Sequence, residues 1–268
     1  MSATHPNSAW GFVLVGSIFS LVLFGICLAQ TFTYCRKFKR DPLWVNLFVG
    51  MLVILDVASS VITVAWIYRL FIEGHGDMAK LTKVNPLSAA VSAVIGLTQC
   101  TVQLFFAWRL HIIGATPYQS STFSLRDFMI TKQHWLTVFI CICSLLTLVG
   151  YVGTGIAALL AKDYLHLASI APIVLTSGFS TVVADVLITL AMTYHLHRAK
   201  GTFARTDRFL DCIIQLTLQN GSLTTLTAII DIILYLSSPE PYFIAGTLVL
   251  PKLYVNSALS SLNARGHL

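Results

Sequence analysis

The sequence predicts an all-α polytopic membrane protein, a bundle of seven transmembrane helices with its N-terminus outside and its C-terminus in the cytoplasm. Three observations predict it. The 268 residues are 56% hydrophobic and only 10% charged, with a mean hydropathy of +0.78, whereas a soluble domain carries about 25% charged residues. Seven apolar segments have the roughly 20 residues needed to cross a hydrocarbon core about 30 Å thick. The basic residues are distributed unequally between the two sets of connections.

The segments are Ala9–Tyr34, Trp44–Ile72, Leu87–Ile113, His134–Leu160, Leu165–His195, Arg208–Leu236 and Tyr242–Leu262. Turn or charge signals separate them: Asp41-Pro42, Gly74-His75-Gly76, Asn85-Pro86, Thr116-Pro117, Lys162-Asp163, Gly201 and Pro239-Glu240-Pro241. No connection is long enough for a soluble domain, so residues 1–268 form a single domain. The first segment lacks a basic n-region and exceeds the apolar core of a signal peptide, so it is expected to stay as a helix.

Orientation follows from the side rich in Lys and Arg. Arg36, Lys37, Lys39, Arg40, Arg109, Arg126, Lys132, Arg198, Lys200, Arg205, Arg208 and Arg265 share one side. Arg69, Lys80, Lys83 and Lys162 are on the other, and Lys252 falls within the seventh segment. The first side is therefore expected to be cytoplasmic. Trp10, Trp44, Trp66, Trp108 and Trp135 all fall near segment ends, where interfacial belts are found. The net charge of +6 resides in short connections rather than on one soluble face, which argues against a nucleic-acid partner. The lipid bilayer is the expected partner, in a plasma membrane or endomembrane. The basic connections offer a surface for a cytoplasmic partner.

Polar side chains are costly in lipid and face a bundle interior or a water-filled cavity. Asp56, Ser59, Ser60 and Thr63 share one helical face of the second segment. Ser177, Thr181, Asp185 and Thr189 do so in the fifth, and Lys252, Asn256, Ser260 and Asn263 in the seventh. Gln99 and Gln103 share a face of the third, Gln215 and Gln219 share one on the sixth, and Asp231 lies nearer the outer end. At 1.5 Å rise per residue, Asp56, Asp185 and Lys252 lie roughly 15–20 Å from the inner face. Two carboxylates and one ammonium at one level, with Asn256 beside them, predict an interior polar layer. Such a layer serves either as a structural clamp between helices or as a small-molecule or ion pocket.

Cys27, Cys35, Cys100, Cys141, Cys143 and Cys212 lie in apolar segments or at their cytoplasmic ends, and their spacing supports neither an outer disulfide framework nor a metal site. Cys35 and Cys212 sit where palmitoylation is chemically accessible. Gly150, Gly153 and Gly155 allow close helix contact in the fourth segment. Asn220-Gly221-Ser222 matches a glycosylation sequon but lies inside a span. No GxSxG, HExxH, Walker A or GxGxxG pattern is present, and the histidines stand singly at segment ends or in connections, so a non-enzymatic protein without a cofactor is expected.

Several motifs recur together: Ser180-Thr181-x-x-Ala184-Asp185-x-Leu187-Ile188, Arg205-Thr206-Asp207, Lys252-Leu253-Tyr254-Val255-Asn256-Ser257 and Leu262-Asn263-Ala264-Arg265. In the N-terminal half there are Gln30-Thr31-Phe32-Thr33-Tyr34, Asp41-Pro42, Leu55-Asp56 and Gln103-x-x-Phe106-x-x-Arg109. Together they resemble a group of seven-span proteins from mushroom-forming fungi, family 6534 of the domains of unknown function. The resemblance implies a seven-helix membrane protein and supplies no activity and no functional residues.

Topology also suggests a receptor-like, ligand-sensing protein. The third segment ends Trp108-Arg109-Leu110 rather than Asp-Arg-Tyr, and the seventh has Asn256-Ser257 rather than Asn-Pro-x-x-Tyr, so the signatures of G-protein-coupled receptors are absent. A small-solute or ion transporter or channel is the alternative, although no internal repeat is visible. A retinal protein, with Lys252 as the attachment point and Asp56 as its counter-ion, is a third reading; the surrounding sequence does not look like a microbial opsin.

Overall fold

The computed structural model describes residues 6–73, 85–115, 123–161, 171–198, 204–238 and 240–267. Among these residues there is no strand, and the chain forms seven long helices. They are α1 (Pro6–Lys37), α2 (Leu43–Tyr68), α3 (Pro86–Ala115), α4 (Phe123–Ala161), α5 (Ala171–Arg198), α6 (Ala204–Ser237) and α7 (Phe243–Asn263). A π-helical turn, Arg69–Glu73, continues α2, and a 3-10 turn, Ala264–His267, continues α7.

Helix ends follow local chemistry. Asn85 caps α3, its Oδ1 accepting the Leu87 N–H at 3.0 Å, and Pro86 occupies the first turn, where its missing N–H costs nothing. Pro42 precedes α2. The fourth helix starts at Phe123 rather than His134, and the sixth at Ala204 rather than Arg208, because charged residues continue a helix past the apolar stretch. The expected start of the fifth, Leu165–Ile170, lies outside the described residues.

Each helix packs against its neighbour in sequence, and α7 closes the ring on α1. Helix α3 also reaches α5 and α7, and α2 reaches α7. Small residues set two of these approaches. A Cβ on Gly155 would stand 3.1 Å from the Ala89 carbonyl oxygen on α3, and one on Gly150 would overlap Ser177 of α5. Those glycines bring helices of the same bundle together.

The outside of the bundle is apolar: Phe12, Phe19, Leu47, Ile54, Val61, Leu146, Val149, Leu190, Leu226 and Ile233 are all exposed. The inside holds Asp56, Ser60, Gln99, Gln103, Thr147, Thr181, Asp185 and Lys252. A surface of this kind suits lipid rather than water. Helices α1–α6 are each long and apolar enough to cross a membrane, and the chain is a multi-pass membrane protein. Helix α7 is 21 residues long and carries Lys252, Asn256 and Pro251. Most of it is buried inside the bundle, so the other helices rather than lipid solvate its polar groups.

The helices alternate in direction, so the ends sort into two groups. Tyr34, Asp41, Trp44, Trp108, His111, His134, Ser261 and Arg265 meet at one end, which also carries exposed Arg36, Lys37, Lys39 and Arg40. Trp10, Trp66, Leu70, Val91, Ile95 and Leu248 cluster at the other. Of the expected interfacial tryptophans, Trp44, Trp108 and Trp135 are exposed, whereas Trp10 and Trp66 turn inward and fill the bundle.

Candidate functional site

Helix α7 carries the chemistry. Lys252 is fully buried, and its three ammonium protons all find acceptors on α2. Nζ stands 2.6 Å from Asp56 Oδ1, 2.8 Å from the Asp56 carbonyl oxygen and 2.7 Å from Ser60 Oγ. The spacing of Asp56 and Ser60 puts both on the face turned to α7. Ser60 Oγ also donates to the Asp56 carbonyl at 2.8 Å. On the α1 side, the Phe24 ring lies 5.2 Å from Nζ and the Cys27 thiol contacts the Lys252 carbonyl at 3.8 Å. Charge and hydrogen-bonding capacity at Nζ are therefore satisfied.

Asp185, on α5, takes a different set of partners. Gln103 Nε2 of α3 donates to its Oδ1 at 3.0 Å, and the Tyr254 hydroxyl of α7 donates to its Oδ2 at 2.5 Å. One helical turn away, Thr181 donates to the Ser177 carbonyl and lies 3.3 Å from the Thr147 hydroxyl of α4. Lys252 and Tyr254, two apart on α7, point in different directions and so serve α2 and α5 respectively. The residues expected to share one ion-paired layer thus divide into an ion pair, Asp56–Lys252, and a neutral-donor network around Asp185.

Asn256 leans toward α1. Its Nδ2 donates to the Lys252 carbonyl at 3.0 Å and approaches the Leu23 carbonyl at 3.4 Å. Two turns on, Asn263 Nδ2 donates to the Gln30 carbonyl at 3.0 Å. Ser260 accepts from Asn220 Nδ2 of α6 at 2.8 Å, and Ser261 from Arg109 of α3. Beyond the helix end, Arg265 Nη2 reaches Asp41 Oδ2 at 2.7 Å, and the Tyr34 hydroxyl donates to the same oxygen at 2.9 Å.

A third buried carboxylate was singled out by sequence only for its position. Asp231 of α6 accepts from the Thr247 hydroxyl of α7 at 3.3 Å through Oδ2. Its Oδ1 lies against the α7 backbone at Gly246, where any Cβ would overlap it, and has no hydrogen-bond partner. Among the described residues, then, each buried aspartate draws a donor from α7: Asp56 from Lys252, Asp185 from Tyr254, Asp231 from Thr247. Tyr254 and Thr247 were not anticipated as site residues. Their signal was placement, since both lie on α7 near Lys252.

Asp231 lines a cavity of about 120 Å³ at the end opposite the basic one. Helices α2 to α7 all contribute to the wall, which is mainly apolar: Trp66, Val91, Ile95, Tyr151, Ala158, Ile232, Phe243 and Leu248. Thr181 and Leu250 lie at its deep end, one turn from Asp185 and two residues from Lys252. A smaller cavity of about 30 Å³ adjoins Asp185, Gln103, Asn220, Thr224 and Ser261. That volume is large enough for a water molecule. Among the described residues no group of three His, Cys, Asp or Glu side chains is placed to hold a metal ion.

Residues 181–267 match the model of a family described as "Family of unknown function (DUF6534)". The match covers most of α5, all of α6 and all of α7, and so contains Asp185, Asp231, Lys252, Tyr254 and Asn256; Asp56 lies outside it. No curated protein and no solved structure matches the chain.

Proposed function

We propose that this membrane protein is a receptor-like sensor without enzymatic activity. All seven helices cross the bilayer, with the N-terminus outside and the basic end in the cytoplasm. A small molecule binds from the outer side in the 120 Å³ cavity. One observation supports this reading above the others: a largely apolar cavity is built from six helices, and its deep end abuts a polar layer in which Asp56, Lys252 and Asp185 already have protein partners. Ligand pockets have this composition, mostly apolar walls with few polar groups. The polar layer holds the helices together beneath the ligand, and the exposed bases Arg36, Lys37, Lys39 and Arg40 offer a docking surface for a cytoplasmic partner.

Purification in mild detergent followed by mass spectrometry for retained small molecules tests the reading. Ser92→Phe, which fills the cavity from α3, is expected to abolish retention without loss of the fold. A molecule retained equally by both proteins would place its site elsewhere and refute the proposal.

Transport is the second reading, and the small cavity beside Asp185 favours it, since it continues the line of the larger one toward the basic end. Solute or ion flux into liposomes would decide for it. Attachment of retinal at Lys252 has less support, because Nζ already serves three acceptors.

A further inference from the structure

The cavity of about 120 Å³ contains one carboxylic acid, Asp231, and that acid is incompletely satisfied. Asp231 is 9% exposed. Thr247 supplies one hydrogen bond, to Oδ2, and Oδ1 has none. Among the described residues Lys252 pairs with Asp56 and Arg265 with Asp41, and neither cation reaches Asp231. The hydroxyl of Thr154, on the same wall, is also buried without a partner. A buried carboxylate that lacks a protein cation is costly, and a cationic ligand removes that cost.

The rest of the wall fits the same chemistry. Trp66, Tyr151, Tyr235 and Phe243 surround the cavity, and aromatic faces attract alkylammonium groups. Tyr235 and Phe243 pack edge to face with centroids 5.0 Å apart, which fixes the rim next to Asp231. An apolar protein cavity of about 150 Å³ takes up benzene, so 120 Å³ suits one ring or a short alkyl chain.

From this we propose that the cavity recognises a small hydrophobic amine, its ammonium group held by Asp231 and its apolar body by the walls of α2 to α5. The proposal rests on the reading of the cavity as a ligand site and adds the class of ligand.

The test uses the full chain in phosphatidylcholine nanodiscs, with empty discs as blank. The probes are radiolabelled 2-phenylethylamine, a cation at neutral pH, and 2-phenylethanol, its uncharged counterpart of equal size. The wild-type protein is expected to bind the amine about tenfold or more tightly than the alcohol, as a charge-assisted hydrogen bond requires. Asp231→Asn should reduce amine affinity to about that of the alcohol, whose own affinity should move by less than about threefold. Ser92→Phe should remove binding of both. If Asp231→Asn does not accumulate, the wild-type preference for amine and its loss in Ser92→Phe carry the decision. Equal binding of amine and alcohol by the wild-type protein, or an amine preference that survives Asp231→Asn, overturns the amine inference and leaves the ligand site standing. Binding of neither probe overturns both.

Discussion

Replacing Lys252 by Met keeps most of the length of the side chain and removes its charge and three donors. Asp56 is then left as a buried, unpaired carboxylate, and Ser60 Oγ and the Asp56 carbonyl each lose one of their contacts. Breaking a buried ion pair from one side costs about 3–5 kcal/mol in proteins generally. Lys252 is 0% exposed and Asp56 only 3%, so solvent cannot restore what is lost. The upper part of that range is expected, measured as unfolding free energy by titration from mild detergent into SDS. Asp56→Asn on the same background removes the orphaned charge and should recover about 1–3 kcal/mol, the coupling typical of groups in contact. Asp185→Asn should not, because Asp185 bonds Gln103 and Tyr254 and not Lys252; its effect should add to that of Lys252→Met within about 0.5 kcal/mol. Coupling to Asp185 as large as that to Asp56, or a neutral Lys252→Met, would refute the division of the polar layer into two networks.

Tyr254→Phe removes the hydroxyl that donates to Asp185 Oδ2, and a loss of about 1–3 kcal/mol is expected in the same titration. Arg265→Ala breaks an ion pair whose side chains are 33% and 15% exposed, so the loss should be no more than about 1 kcal/mol and should shrink in high salt. For orientation, a tag at Ser2 should be reached by antibody on intact cells and a tag after Leu268 only after permeabilisation; reactivity of both from one side would remove the proposed topology.

The helices could be read from the sequence because lipid imposes one dominant rule, long apolar runs with polar breaks, and α1–α6 obey it. Boundaries were less visible where a helix continues beyond the membrane-compatible stretch, as α4 does toward Phe123. Periodicity marked the polar faces, and depth along the helix placed Asp56 level with Lys252. It could not say that Asp185 turns to Tyr254, because depth gives a height and not an azimuth: neighbouring positions on a helix differ by about 100°. Trp10 and Trp66 show the same limit, since a position near a span end does not reveal whether the ring faces lipid or protein. The cavity was invisible in the sequence for a related reason. Its wall draws residues from six helices, most of them ordinary apolar side chains without any pattern of their own.

The distribution of acids and donors explains why α7 is held in the bundle. Asp56, Asp185 and Asp231 lie on three different helices, α2, α5 and α6, and each would be a buried carboxylate deprived of a donor if α7 were absent. Conversely, Lys252, Tyr254, Asn256 and Ser260 would be costly if α7 faced lipid, and they reach α2, α5, α1 and α6 instead. The polar groups are therefore mutually required, and their geometry sets both the rotation and the depth of α7 relative to its neighbours. Pro251 sits in the middle of this array, and without an N–H it cannot donate to the Thr247 carbonyl four residues earlier. That leaves the α7 backbone one hydrogen bond weaker between Thr247, which holds the cavity acid Asp231, and Lys252, which holds Asp56. A ligand held by Asp231 beside Thr247 would act on α7 just above that weak point, whereas the lower contacts to α1, α2, α5 and α6 would keep the remainder of the helix fixed. The polar residues that α7 carries are thus the ones that tie the cavity to the rest of the bundle.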